Sequence, residues 1–329
     1  IFDECHKLKD YKAITKQPRL GIHAIQQGYY VMGLSATAAD NPLHMKFVAC
    51  LTKQIRDPNQ FWGWALRNGV YKGRFGMEFS GSADPALCRK VMLNIHSEIF
   101  PAHGSRMRIA DLGDQFPETQ IISEAYVMDS AEEIQRIYKE MKQEIAVLEE
   151  TKAADWSANV LTTQLRARQE VELLKVPTLV EMAHDAVDEG FSVAIFINFD
   201  NTRKALLDND RLGAVSTIHG NQPNDMRQQN IDQFCNDLQY IVVVNIKAGG
   251  VGIGLHGRRP RLALICPTYS PIDLRQALGR VHRAHGSHSI QKIVWAANTI
   301  EETACDKVRA KLHRIDILND GELAEALTF

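Results

Sequence analysis

Tyr240-Ile241-Val242-Val243-Val244-Asn245 runs directly into Ile246-Lys247-Ala248-Gly249-Gly250-Val251-Gly252-Ile253-Gly254. An apolar run without alternation reads as a parallel strand covered on both faces, because a strand with one wet face alternates apolar and polar residues. The glycines after it clear side chains from the chain and leave backbone N–H groups open to a phosphate or a nucleic-acid backbone. A buried strand ending in such a loop is what an α/β sheet needs to bind ligands at the C-terminal ends of its strands.

The same pattern spreads in both directions. Upstream, a helix over Thr178–Glu189 stops at Gly190, a strand follows over Ser192–Asn198, and a helix over Thr202–Asn209 comes next. Downstream, Leu262–Ile265 is another unbroken apolar strand, and a helix starts near Thr299, with Glu302 at capping-box spacing, and runs to about Ile315. Before this region, Ser130 and Glu133 form a capping box, and Ile134, Ile137, Tyr138, Met141, Ile145 and Leu148 recur at helical spacing in a helical stretch that lasts to about Lys175. The first part of the chain mixes short strands and helices. Tyr29–Leu34 is its clearest strand, and Asn41-Pro42 marks a turn. The expected organisation is a first α/β domain over residues 1–120, a helical linker over 121–175 and a second α/β domain over 176–329.

The totals fit two domains in one chain. At 329 residues it exceeds the roughly 250–300 at which a single core stops growing. Hydrophobic residues make up 45% and charged residues 24%, and no apolar run approaches the ~20 residues of a membrane span, so no membrane partner is expected. Cys5, Cys50, Cys88, Cys235, Cys266 and Cys305 form no CxxC pair, which argues against a zinc ribbon and a secreted disulfide framework and for a reducing compartment. A formal charge of −2 carries no global signature of nucleic-acid binding, so such a function must rest on local features.

Three of these local features carry chemistry. Asp3-Glu4-Cys5-His6 follows apolar Ile1-Phe2, placing adjacent carboxylates at a strand's C-terminal end; one carboxylate suits a metal ion and the other an attacking water. Ser35 and Thr37, in Gly33-Leu34-Ser35-Ala36-Thr37, offer hydroxyls after the next strand. Between Pro271 and Arg283, a helix would put Gln276, Arg280 and Arg283 on one face, since offsets of four and seven residues nearly coincide at roughly 100° per residue. Leu274, Leu278 and Val281 then form the buried face, and Gly279 permits a close approach. Guanidiniums so presented suit the charge on a transferring γ-phosphate. No GxxxxGK[ST] loop occurs in these residues, so the lysine that cradles the phosphates is expected outside them. Arg258, Arg259 and Arg261 form a basic group, read as either a phosphate contact or a solvated turn. Trp62 and Trp64 read as packing residues. His282, His285 and His288 lack an acidic or cysteine neighbour and are not read as metal ligands.

Taken together, Asp3-Glu4-Cys5-His6, Leu34-Ser35-Ala36-Thr37, Ala248-Gly249-Gly250-Val251-Gly252 and Gln276-Ala277-Leu278-Gly279-Arg280-Val281-His282-Arg283 resemble, in order, motifs II, III, V and VI of superfamily 2 helicases. The likeness is strongest to the Snf-type double-stranded DNA translocases. Val193–Phe199, His219-Gly220 with Arg227, and Thr299-Ile300-Glu301-Glu302 resemble further segments of that group. Cys5, Cys266, Tyr269 and His285-Gly286 depart from its usual residues and suggest a divergent viral or mobile-element branch.

The resemblance implies two RecA-like parallel-sheet domains, the first incomplete, with a helical insertion between them. It implies ATP and Mg²⁺ as cofactors. Asp3 would hold the metal, Glu4 would act as base and His6 would complete the box, while Ser35 and Thr37 would couple hydrolysis to motion. Gly249, Gly250 and Gly252 would form the ATP or nucleic-acid loop, and Gln276, Arg280 and Arg283 would complete the site. The implied activity is ATP-driven translocation on double-stranded DNA, in the cytoplasm of a bacterial or phage-infected cell, or the nucleus if eukaryotic. Strand separation on DNA or RNA, and a non-catalytic nucleic-acid-binding scaffold, are the alternatives.

Overall fold

The computed structural model describes residues 1–3, 5–8, 16–35, 39, 41–73, 76–80, 84–107, 111, 117–151, 156–249, 253–268, 270–303, 305–306 and 308. The chain divides into two compact units, the first from Ile1–Asp111 and the second from Leu112–Lys307.

In the first unit, α1 (Lys16–Gln26), α2 (Lys46–Leu51), α3 (Phe61–Arg67) and α4 (Pro85–Ile99) surround an antiparallel hairpin of β1 (Val70–Gly73) and β2 (Gly76–Phe79). Phe61, Trp64, Met45, Met92 and Ile95 fill its core. Trp64 stacks on Phe61 at 6.0 Å, while Trp62 is 38% exposed. Gly21 lets α1 meet α2, because a Cβ there would stand 2.5 Å from the Phe47 ring. The strand expected over Tyr29–Leu34 contracts to one parallel bridge between Phe2 and Gly33, and Tyr29, Tyr30, Met32 and Leu34 are exposed. High β propensity alone did not extend it: among the described residues its backbone bonds outside Met32 and Leu34, which pair with Phe2 and Cys5, include Tyr29 N to the Ala24 carbonyl at 3.0 Å, a turn contact rather than a strand ladder.

The second unit holds β3 (Thr119–Tyr126), the long helices α5 (Ala131–Thr151) and α6 (Trp156–Leu174), then α7 (Val176–Asp188), β4 (Ser192–Ile197), α8 (Asp200–Leu207), β5 (Ser216–Ile218), α9 (Asn224–Cys235), β6 (Ile241–Asn245), a helical turn α10 (Ile246–Gly249), β7 (Arg261–Ile265), α11 (Pro271–Leu278) and β8 (Ser289–Ala296). The strands form one parallel sheet in the order β3-β8-β7-β4-β6-β5. Every residue of β4 and β7 is buried, as the unbroken apolar runs over 193–197 and 262–265 require. One core face joins Val193, Ile195, Val243 and Leu264 to Leu179, Val180 and Ala183 of α7, and also to Ile134, Val171 and Ala167 of the long helices. Each fully buried aliphatic side chain there contributes roughly 1.5–3 kcal/mol. The α/β class read from the sequence holds, and α7 stops where expected, at Gly190 with φ +94°.

Both capping boxes are rearranged. The Ser130 hydroxyl donates to the Leu174 carbonyl at 2.9 Å, and Glu133 pairs with Arg136 instead, so Ser130 ties the two ends of the helical pair together. At the late helix, Thr299 Oγ1 accepts from Glu301 N at 3.1 Å, and Glu302 accepts from Asn298 N at 3.0 Å, shifting the box by one residue. The end of that helix lies outside the described residues.

Candidate functional site

The site of interest in the second unit is built from the segments that leave β6 and β7. After β6 the chain makes the turn α10, which includes the backbone of Gly249. Gly250 and Gly252 lie outside the described residues. After β7 it passes through Cys266, Pro267 and Thr268 into α11, whose N-cap Ser270 accepts from Asp273 N at 3.2 Å.

Here the geometry corrects the helical-face reading. The helix ends at Leu278, short of Arg280 and Arg283, so the common face expected for Gln276, Arg280 and Arg283 does not form. Gln276 sits on the helix, Arg280 in the turn beyond it and Arg283 in the segment leading to β8. Leu274, Leu278 and Val281 are buried as expected. Gly279 does not mark a close approach: a Cβ there would be 3.7 Å from the Arg275 and Gln276 carbonyls, an ordinary contact.

The turn instead grips the glycine segment. Arg280 is 5% exposed, and its Nη1 donates to the Ile253 carbonyl at 3.2 Å while its own carbonyl accepts from Leu255 N at 2.8 Å. The two stretches singled out in the sequence are thus laced together by side chain and backbone. Arg283 is half-buried beside Gly254 and His256. His256 went unnoticed in the sequence. Its ring lies between Gly254, where a Cβ would stand 3.0 Å from Nδ1, and Gly286, where a Cβ would stand 3.1 Å from the histidine's own Cβ. Burial, and then the charges of Arg283, Arg261 and His285, hold the His256 imidazole below its ordinary pKa. The His256 ring thus sits within the field of the Arg283 charge. The only signal in the sequence is the close spacing of Gly254, His256 and Gly257.

The remaining basic residues disperse. Arg261 is wholly buried on Asp237 and the Phe234 carbonyl, and Arg259 stacks over Tyr240 at 4.1 Å while donating to the Gly190 carbonyl at 3.1 Å. Of the group Arg258, Arg259 and Arg261, only Arg258 is exposed. The three histidines also part company. His282 bonds the Pro117 carbonyl at 2.9 Å, His288 meets the Phe191 ring edge-on at 5.7 Å, and His285 is exposed at φ +62°.

In the first unit, Asp3 is exposed in the turn after the Phe2 bridge, where a carboxylate could reach a hydrated Mg²⁺. Ser35 is half-buried two residues past the bridge. His6 belongs to the 3-10 turn Cys5–Leu8. Glu4 and Thr37 lie outside the described residues.

Residues 174–285 match the family described as the helicase conserved C-terminal domain. A protein of Acanthamoeba polyphaga mimivirus, named as a putative ATP-dependent RNA helicase, is 34% identical over 335 aligned positions that take in 98% of this chain; the chain spans 61% of that relative's length. Two solved structures are also similar. The C-terminal part of the Fun30 ATPase domain aligns with 62% of this chain and 98% of its own at 16% identity and a TM-score of 0.42, and the Sulfolobus solfataricus SWI2/SNF2 ATPase C-terminal domain aligns with 59% and 86% at 17% identity and a TM-score of 0.44.

Proposed function

We propose, from the match of residues 174–285 to the helicase conserved C-terminal domain, that the full-length protein is a nucleic-acid-dependent ATPase motor that translocates on double-stranded DNA. The observation that carries the reading is the lacing of the Arg280 turn to Ile253 and Leu255. It joins a glycine segment suited to a phosphate backbone with the turn that carries Arg280 and leads on to Arg283, so a change at one is felt at the other. Asp3 would hold Mg²⁺, Glu4 would activate the attacking water, His6 would complete the box, and Ser35 and Thr37 would couple hydrolysis to motion. Gln276, Arg280 and Arg283 meet the nucleotide, and Gly249, Gly250 and Gly252 contact ATP or the nucleic acid. Mg²⁺, once held there, would supply neutralisation of the negative charge on the nucleotide's phosphates.

The name borne by the mimivirus relative favours a second reading, strand separation on RNA. One set of measurements divides them: ATP turnover of the full-length protein with double-stranded DNA, single-stranded DNA and RNA, beside triplex displacement and duplex unwinding. Stimulation by double-stranded DNA with triplex displacement supports translocation. Unwinding of plain duplex RNA without triplex displacement establishes the second reading, and no stimulation by any nucleic acid ends both.

A further inference from the structure

The order of the sheet puts a reversal between β4 and β7. The chain leaves β4 toward β5 on one side and leaves β7 toward β8 on the other, which opens a crevice at the C-terminal ends of these two neighbours, where open α/β sheets take their ligands. In this unit the crevice is spanned by the protein's own residues. Asn198, just past β4, donates Nδ2 to the carbonyl of Pro267, just past β7, at 3.0 Å. Its own carbonyl accepts from Nδ2 of Asn245, the last residue of β6, at 3.3 Å. One residue therefore ties together the three strand ends from which the α8 connection, the glycine segment and the arginine turn depart.

The group that fixes Asn198 belongs to none of the strands. Glu172, in the last turn of α6 and 5% exposed, accepts from Asn198 N at 3.0 Å, from Asn198 Nδ2 at 2.7 Å and from Phe199 N at 3.1 Å. Both amides precede Asp200, the first residue of α8, so the carboxylate grips the strand end rather than the helix. Three residues on, Lys175 donates to the Val294 carbonyl at 3.0 Å and to Glu301 at 2.5 Å, and Glu301 accepts from Tyr138 of α5 at 3.1 Å. Tyr138, Glu172, Lys175 and Glu301, with Phe199 and Pro267, line a small, partly open cavity of about 20 Å³, room for one water molecule. Burying a carboxylate beside an ion pair is a costly way to pack a helix, since apolar side chains of the same size would serve stability as well or better.

We infer that Glu172 is a positioning residue that latches the α5–α6 arm to the ends of β4, β6 and β7, so that the arm's position is transmitted to the glycine segment and the Arg280 turn together. This rests on the ATPase reading above. The test uses the full-length protein and Glu172→Gln, which keeps the size but sets an amide donor against the donors of Asn198. The expected result is nucleic-acid-stimulated kcat lower by on the order of 10²-fold, with KM for ATP little changed. Asn198→Ala should act in the same direction, and the double variant should be no worse than either single one, as for groups in one network. Hydrogen exchange should show lost protection at residues 245–249 and 266–268 in Glu172→Gln. Wild-type kcat in that variant, with or without a lower melting temperature, overturns the inference. If Glu172→Gln does not fold, Asn245→Ala, which removes the bond to the Asn198 carbonyl, takes its place with the same expected loss of kcat and the same overturning result. A wild-type protein without stimulated turnover would sink the functional reading instead, and the exchange measurement would then decide the latch alone.

Discussion

Arg261 has no exposed surface, yet it carries a charge that burial cannot remove at any pH where the fold survives. Asp237 answers it through Arg261 Nη1 at 2.5 Å, and the Phe234 and Leu255 carbonyls take up the other N–H groups. Burial would push the Asp237 carboxyl up, but the Arg261 guanidinium and the backbone N–H groups of Arg259 and Arg258 outweigh it and hold the carboxyl below its usual value. Burial also draws Arg261 down from its ordinary value, against the opposing pull of Asp237. A depressed carboxyl adds stability above its unfolded pKa of about 3.9 and loses it as the pH falls through the lower folded value. Urea unfolding from acid to neutral pH should show that acid-side loss for the wild type and its weakening in Asp237→Asn. At neutral pH the same substitution leaves a buried guanidinium without its carboxylate and should cost about 3 kcal/mol; an unchanged urea midpoint contradicts the pairing. From the sequence Arg261 looked like a surface arginine, because composition says nothing of a partner 24 residues earlier.

At the scale of elements, three central strands were legible, while the strands around them and the ends of the helices were less so. β4, β6 and β7 declare themselves because both faces of each are apolar. The end of α11 at Leu278 was hidden by a periodicity that continues through Val281, and Val281 is buried although it is no longer helical. Apolar spacing reports which side chains go inside, and a turn can deliver them as a helix does. The junction of α6 and α7 carries a sharper expectation. Lys175 and Glu301 are an ion pair with side chains 1% and 4% exposed. Lys175→Met strands the carboxylate and should lower stability by about 3–5 kcal/mol. Adding Glu301→Gln should recover part of that loss, measured as the shift in thermal midpoint. A double variant less stable than Lys175→Met would show that Glu301 is held by its other donors alone.

For the molecule as a whole, the expectations concern activity. Contacts dominated by phosphates should make binding steeply salt-dependent, so affinity of the full-length protein for double-stranded DNA should fall by at least about ten-fold between roughly 50 and 200 mM salt, with little dependence on sequence. A flat response in a fluorescence-anisotropy titration contradicts a backbone-tracking surface. Arg283→Ala should abolish most stimulated turnover with the melting temperature unchanged, since its side chain is half-buried. Arg280→Ala should lower both, because Arg280 also holds the Ile253 carbonyl. The 329 residues by themselves should hydrolyse ATP poorly, because no GxxxxGK[ST] cradle lies within them.

The sequence by itself determined the α/β class, the three central strands β4, β6 and β7, the glycine segment and the order of the motifs. All of these are written in neighbouring residues, through apolar runs and the backbone freedom of glycine. Only the tertiary structure decided which charged groups are interior: Arg261 with Asp237, Lys175 with Glu301 across 126 positions, and Glu172 under Asn198. Whether a charge is buried and paired depends on where distant segments meet, and local pattern carries no record of that meeting.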